Sequence, residues 1–540
     1  MDNSDVCTAA TDAVPSVKPC EGTDSVPTRG ICAVKAEYLR PAPIRVNLDA
    51  EGRTRGMNKG AERQRSAAVE GTQRPTFEGE SNFFHGEVLQ RIKAVVRQQN
   101  VGGSKRSRDE KKDEVPPTET STENGDTITT ELNSSATETI LQSHDNHIAT
   151  KNSDMVHASN TEEALRESQA RRKSLFTNKL VLAPLTTVGN LPFRRICKTY
   201  GADITVGEMA LVYNLNRLQK SEWSLLRRHE SEDIFGIQIA VSRPQDALTW
   251  AKAIETSGFS YDFVDINCGC PVDKLVLSGC GCGLWERKGN RLKDVVQSLA
   301  QNQSKPVTIK CRIGPDEDAP LLHKQIGEYE GWGASAVTIH GRSRKQRYTK
   351  LANWSYVDDC ATRTNLPVTG NGDILSWEDV VEHREQCPHV NSYMIGRGAL
   401  IKPWIFEEIK MEQSKDISSH ERFEILRRFC DYGLSHWGSD ERGVLTTRRF
   451  LCEWLSFLCR YVPVGLLERL PQRMNERPPF YEGRDELETL MSSDSAVDWI
   501  RISEMLLGPA GDKFKFTPKH KSNSYANSGS STDMDMNVEG

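Results

Sequence analysis

Apolar positions divide the chain into regions of different period. From residue 176 to about 410, short β-branched runs alternate with windows in which apolar residues recur at helical spacing. The runs cover 180–184, 204–207, 236–240, 263–266, 307–311, 336–339, 368–370 and 393–395. Helical windows such as 246–256 and 291–299 lie between them, so the spacing suits successive βαβ units and a parallel sheet. Eight such units in roughly 230 residues predict a (β/α)8 barrel, a TIM barrel of the α/β class. A doubly wound sheet is the alternative, but no G-x-G-x-x-G follows the first run.

Over 411–507 the period is helical. Ser418 and Glu421 have the spacing of a capping box, and Phe423, Leu426, Cys430 and Leu434 follow at helical intervals. Further helices are predicted over 446–461 and 486–507, with Pro471, Pro478 and Pro479 breaking the chain between them. This reads as a second, all-helical C-terminal domain. Residues 1–165 hold neither period and are rich in Ser, Thr, Glu, Asn and Gly. They predict a disordered low-complexity extension that buries little, with one short amphipathic helix at 84–96. Residues 508–540 predict a basic, flexible tail in which Lys513, Lys515, Lys519 and Lys521 stand near Phe514 and Phe516.

Charge changes this picture less than cysteine does. The 540 residues carry a net charge of -5, so any contact with a nucleic acid must come from local clusters. Of 14 cysteines, Cys197, Cys311, Cys430, Cys452 and Cys459 sit singly in apolar runs, the usage of a reducing compartment. No window approaches the ~18 apolar residues of a membrane span. A monomeric protein of the cytoplasm or nucleus is expected, without a membrane partner.

In a parallel barrel the active site is built at the carboxyl ends of the strands, so the polar residues after each run are the candidates. They are Pro184-Leu185-Thr186, Gln238, Asn267-Cys268-Gly269-Cys270-Pro271, Lys310 with Arg312, His340-Gly341-Arg342, Asn371-Gly372-Asp373 and Gly396-Arg397-Gly398. Loops after the last two strands form the usual phosphate site of such barrels. Glycines there admit an anion to backbone N–H groups, and Arg397 adds a planar cation. A phosphate-bearing cofactor follows. An inward lysine after Thr308-Ile309 is costly without a function, whereas His340 alone is equally well a satisfied barrel residue.

These runs resemble the tRNA-dihydrouridine synthases. The likeness rests on Leu182-Ala183-Pro184-Leu185-Thr186, Asn267-Cys268-Gly269-Cys270-Pro271, Thr338-Ile339-His340-Gly341-Arg342, Gly370-Asn371-Gly372-Asp373-Ile374 and Met394-Ile395-Gly396-Arg397-Gly398. It continues through the helical part at 454–463 and spans about 175–525. It points to the eukaryotic subgroup that acts on position 47, in the variable loop of tRNA. The resemblance implies FMN held by Pro184, Leu185, Thr186, Gln238, Lys310, His340, Asn371, Gly372, Asp373, Gly396 and Arg397, with NADPH or NADH as reductant, tRNA as partner and Cys270 as the catalytic cysteine.

The residue types suit that chemistry. Reducing the C5–C6 bond of uracil needs a hydride at C6 and a proton at C5; a thiol, with a reference pKa near ~8.5, is protonated at neutral pH and can give the proton. Asn267, Arg342, Arg344, Arg469 and Arg473 are the expected RNA contacts, with Lys345, Arg347, Lys350, Arg448, Arg449, Arg460, Arg477 and the lysine tail as further basic candidates. Each basic run is also readable as a solvated face.

Cys268, Cys270, Cys280 and Cys282 form C-x-C-x9-C-x-C, which could ligate a metal, but no C-x2-C knuckle is present among them. Relatives often carry Cys3His zinc fingers upstream of the barrel. Here Cys7, Cys20 and Cys32 precede the first histidine, His85, so neither a zinc finger nor another metal site is expected. The rival functions are a flavin barrel acting on a free pyrimidine or other small molecule, and a catalytically silent RNA-binding or chaperone protein on the same scaffold.

Overall fold

The computed structural model describes residues 30–41, 75–109, 170, 173–286, 289–346, 348, 350–511 and 514–519. Eight parallel strands form the barrel wall: β1 (Leu180–Leu182), β2 (Ile204–Val206), β3 (Ile234–Ala240), β4 (Phe263–Cys268), β5 (Val307–Arg312), β6 (Ala334–His340), β7 (Val368–Asn371) and β8 (Ser392–Ile395). Each pairs with the next, and β8 pairs with β1, so the sheet closes. All eight predicted runs fall on these strands. Parallel strands covered on both faces read as near-continuous apolar segments, and these are buried along almost their whole length.

Helices return the chain between strands, among them Leu191–Thr199, Pro244–Ser257 and Arg291–Asn302. Asn190 opens the first by accepting the Phe193 N–H. Close packing selects glycine inside the wall: a Cβ on Gly236 would stand 2.2 Å from the Phe263 ring of the adjacent strand.

The helical part packs Ser419–Trp437 against Glu441–Leu458. The predicted capping box is present, with the Ser418 hydroxyl accepting from the Glu421 N–H and the Glu421 carboxylate accepting from the Ser418 N–H. The helix predicted over 486–507 is two, Glu486–Ser492 and Ala496–Leu507. Ser493 turns extended and Ser495 caps the second helix, so short hydroxyl side chains divide one apolar period. Trp454 joins this layer to the barrel by donating to the Leu400 carbonyl at 2.9 Å and meeting Phe193 edge to face.

The reading of residues 1–165 as disordered needs correction where they are described. Gly30–Ile31 pairs in parallel with Glu476–Arg477, and Cys32 and Val34 are buried with Val462, Leu466, Leu467 and Tyr481. The amphipathic window becomes the helix Gly86–Asp109, which lies against Pro244–Ser257 and buries Ile92 and Val96. The extension outside residues 30–41 and 75–109, with Cys7 and Cys20, is not among the described residues. In the tail, Phe516 packs edge to face on Trp499 and the Lys519 N–H bonds Glu453. Lys513 and Lys521 lie outside the described residues, as does Arg347. No helix among the described residues is long and apolar enough to cross a membrane.

Candidate functional site

At the carboxyl ends of the strands lies a cavity that opens to solvent. Pro184, Leu185 and Thr186 reach it from β1, Gln238 from β3, Asn267 and Cys270 from β4, Lys310 from β5 and His340 from β6. Asn371, Gly372 and Asp373 come from β7, and Gly396 and Arg397 from β8. Every residue predicted to touch a cofactor therefore lines one space, as does the predicted catalytic cysteine.

Hydrogen bonds fix these side chains from strand to strand. Thr308 donates to Asp265 at 2.7 Å, Gln238 donates to Asp265 at 2.8 Å, and Asn267 donates to Gln238 at 2.9 Å. The Asn267 carbonyl oxygen then accepts the Cys270 N–H at 2.9 Å and the Gly269 N–H at 3.2 Å. Arg312 donates to the Gly269 carbonyl at 2.8 Å, so the loop bearing Cys270 is held from both sides. Asn267 thus positions the cysteine loop as well as facing the cavity.

Positive charge gathers around the cavity. Lys310 donates to Asn371 at 3.3 Å, and Asn371 is oriented by its own bond to the Met394 carbonyl. Burial pushes the Lys310 ammonium down to about 8; nearby Arg312 adds to this and Asp265 opposes it. Burial, followed by Arg312, Arg342, Lys310 and Arg397, holds His340 well below the usual imidazole range, so the ring is neutral at pH 7. An Arg342 N–H lies 3.4 Å from His340 Nε2. Arginine only donates, which assigns the proton of the neutral ring to Nδ1.

Asp373 is the anionic hub. It sits at φ 56° after Gly372 at φ 136°, and its carboxylate accepts from Arg342 at 2.7 Å and from Arg397 at 3.1 Å. Arg342 is therefore no surface RNA contact: it is 0 % exposed, and its remaining reach goes to the Lys350 carbonyl. Other basic candidates are also engaged. Arg344 binds Glu286, Arg469 binds Glu476, and Arg473 binds Asp379 and Glu382. Arg448 closes the end of the last helix by donating to the Gly508 carbonyl, and Arg460 donates to that of Met474.

Met209, Tyr348, Phe457 and Met474 are among the lining residues that lie outside the strand-end pattern. Tyr348 lies over the Arg397 guanidinium at 4.1 Å and over that of Arg342 at 5.3 Å. Phe457 and Met474 come from the helical part, which thereby completes the cavity wall. Among the described residues no group of three or more His, Cys, Asp or Glu side chains could hold a metal ion. Cys268 and Cys282 are fully buried, and burial pushes both thiols up, that of Cys282 to about 12.

Comparison with known proteins fits this geometry. The tRNA-dihydrouridine(47) synthase [NAD(P)(+)]-like protein of Homo sapiens is 55% identical over 366 residues, covering 67% of this chain and 56% of its own length. The protein of the same name from Arabidopsis thaliana is 52% identical over 369 residues, covering 68% of this chain and 53% of its own. The chain thus spans little more than half the length of these curated relatives. Among solved structures, morphinone reductase is 13% identical and covers 45% of this chain and 88% of its own at a TM-score of 0.33, too loose a likeness to carry an argument. The model of the family described as Dihydrouridine synthase (Dus) matches residues 181–452, half of the chain, from the first barrel strand into the helical part. With the strand-end residues converging on one cavity inside that match, the chain belongs to the dihydrouridine synthase family.

Proposed function

We propose that this protein reduces the C5–C6 double bond of a uridine in tRNA, at position 47 of the variable loop, using FMN and NADPH or NADH, with Cys270 as the proton donor. The observation that carries the reading is the single cavity in which Cys270, Lys310, His340, Asn371 and Arg397 meet. The names of the relatives at 52 to 55% identity support the substrate.

The residues fit an anionic flavin. Lys310, Arg312, Arg342 and Arg397 surround His340, whereas Asp265 and Asp373 are the carboxylates among them, so the cavity is short of negative charge. A Cβ on Gly396 would meet only Ala183 and Leu185, at 3.7 and 3.8 Å, both lining residues, so the backbone beside Arg397 is open toward the cavity. Gly396, Arg397, Asn371 and Gly372 would hold the phosphate end, with Lys310, Gln238 and Pro184 to Thr186 along the ring system. Reduced FMN supplies the hydride for C6.

The chain's own groups do the rest. A base inside folded tRNA must leave its stack to enter the cavity. Cys270 Sγ gives its proton to C5, and Asn267 keeps the cysteine loop in place through two backbone N–H groups. Lys310 and the neutral His340 offer N–H donors to charge developing on the uracil carbonyl oxygens. Nucleoside mass spectrometry of unmodified tRNA, incubated with the protein, FMN and NADPH, tests the activity directly. Absence of dihydrouridine from a flavin-loaded sample would overturn the reading.

Lys310 also gives the site a pH signature. With its pKa lowered to about 8, the folded protein carries this cation below that pH and loses it above. Affinity of the flavin-free protein for FMN is expected to fall as pH rises through 8, and to fall less in Lys310→Arg, which stays charged. Fluorescence titration between pH 6.5 and about 9.5 reads this. Equal flat profiles would remove Lys310 from the flavin contacts.

A further inference from the structure

The loops that follow β5 and β6 lie side by side at the barrel's carboxyl end and face each other with opposite charge. Their backbones are fastened by the N–H groups of Arg344 and Lys345, which donate to the carbonyls of Gly314 and Pro315 at 2.8 and 3.2 Å. Across this seam Lys345 meets Asp316 and Lys350 meets Glu317, each at 2.7 Å. The same loop carries Tyr348 into the cavity, so the two lysines stand beside the entrance.

A cation already paired inside the protein can move to a phosphate only if the carboxylate it leaves is well solvated. Otherwise the move strands a buried charge, a large penalty. Arg473 would abandon Asp379, whose side chain is 6 % exposed; Arg469 would abandon Glu476, at 11 %; Arg344 would abandon Glu286, at 15 %. Asp316 and Glu317 differ. Their side chains are 40 % and 42 % exposed, their lysines 68 % and 57 %, and ion pairs this exposed are weak and readily exchanged. A phosphate chain offers each lysine a stronger counter-charge and releases condensed cations as it binds.

We propose that Lys345 and Lys350 form a contact for the RNA phosphate backbone at the cavity mouth. Asp316 and Glu317 are their resting counter-ions, displaced when RNA arrives. This rests on the reading of the chain as a tRNA-modifying enzyme. It has a consequence that a plain basic patch lacks: the acidic residues compete with the substrate, so removing their charge strengthens binding.

The test compares full-length wild type, Lys345→Glu/Lys350→Glu and Asp316→Asn/Glu317→Gln in tRNA filter binding from about 50 to 200 mM salt. Melting temperature on the same samples reports folding. The lysine variant is expected to bind on the order of 10-fold or more weakly, with the slope of log affinity against log salt shallower by about 1.5 to 2, the loss of two phosphate contacts. The amide variant is expected to bind tRNA several-fold more tightly at the low-salt end. Unchanged affinity and slope in the lysine variant, or unchanged or weaker binding in the amide variant, overturns the proposal while leaving the enzymatic reading in place. Failure of the wild type itself to bind tRNA overturns both.

Discussion

Replacing Cys270 with alanine is expected to lower dihydrouridine formation by about 10² to 10⁴, the usual worth of a positioned general acid. FMN retention and NADPH oxidation are expected to persist, because the cationic groups of the cavity come from other strands. The loss has a structural rationale beyond the thiol itself. Thr308, Asp265, Gln238 and Asn267 form a bonded row across β5, β4 and β3 that ends on the Cys270 N–H, which is costly to build around an inert side chain. Asn267→Ala should therefore share part of the defect, by loosening the loop while keeping the thiol. Single-turnover measurements with pre-reduced protein isolate this step. Product formed at the wild-type rate by Cys270→Ala would exclude the cysteine as donor.

The barrel and most of its site were legible in the sequence for one physical reason. Strands buried on both faces read as apolar runs, and the polar residue ending each run must face the mouth, so thirteen candidates from Pro184 to Arg397 could be placed without coordinates. Tyr348, Phe457 and Met474 could not, because a loop and the helical part deliver them, and no period links those segments to a strand end. The partners of the arginines stayed hidden for a related reason. Arg473 reads as a free surface charge until folding brings Asp379, 94 residues away, to within 3.0 Å. Arg342 likewise sits in a polar run but is wholly buried on Asp373. Charge in sequence carries no record of its partner. Residues 75–109 were underestimated because their burial depends on separated anchors in a polar background rather than on a sustained apolar face.

Those anchors lead to a large stability effect: removing residues 1–109 is expected to lower the melting temperature by more than 10 °C or to leave the remainder aggregation-prone. Phe84 stacks on the fully buried Trp223 with ring centroids 4.6 Å apart, and Ile92 and Val96 are buried under the helix Gly86–Asp109. Losing the three, of which Phe84 is only partly buried, forfeits at most about 4.5 to 9 kcal/mol of burial at about 1.5 to 3 kcal/mol each, and uncovers their partners. Polar terms add to it. The Asn82 amide donates to the carbonyls of Leu226 and Ser260, and its oxygen accepts the Ser260 N–H, so all three groups would lose a partner. Glu80, with its side chain inaccessible, bonds Arg227 of the barrel at 3.2 Å and His436 of the helical part at 2.7 Å, tying the two through one carboxylate. Against a typical net stability of about 5 to 15 kcal/mol, these losses take much of the margin. A shorter deletion of residues 1–74 keeps every one of these contacts and, among the described residues, loses the Gly30–Ile31 strand pairing, the Cys32 and Val34 packing and the bonds of Lys35 and Arg40, so its fall should be smaller. Should the longer deletion fail to yield soluble protein, Asn82→Ala and Ile92→Ala in the full chain give the same reading on a smaller scale, about 2 to 5 kcal/mol for the isoleucine. Calorimetry of the full chain and the four variants decides the matter, and a melting temperature within about 2 °C of the full chain after loss of residues 1–109 would mean that this segment only rests on the barrel.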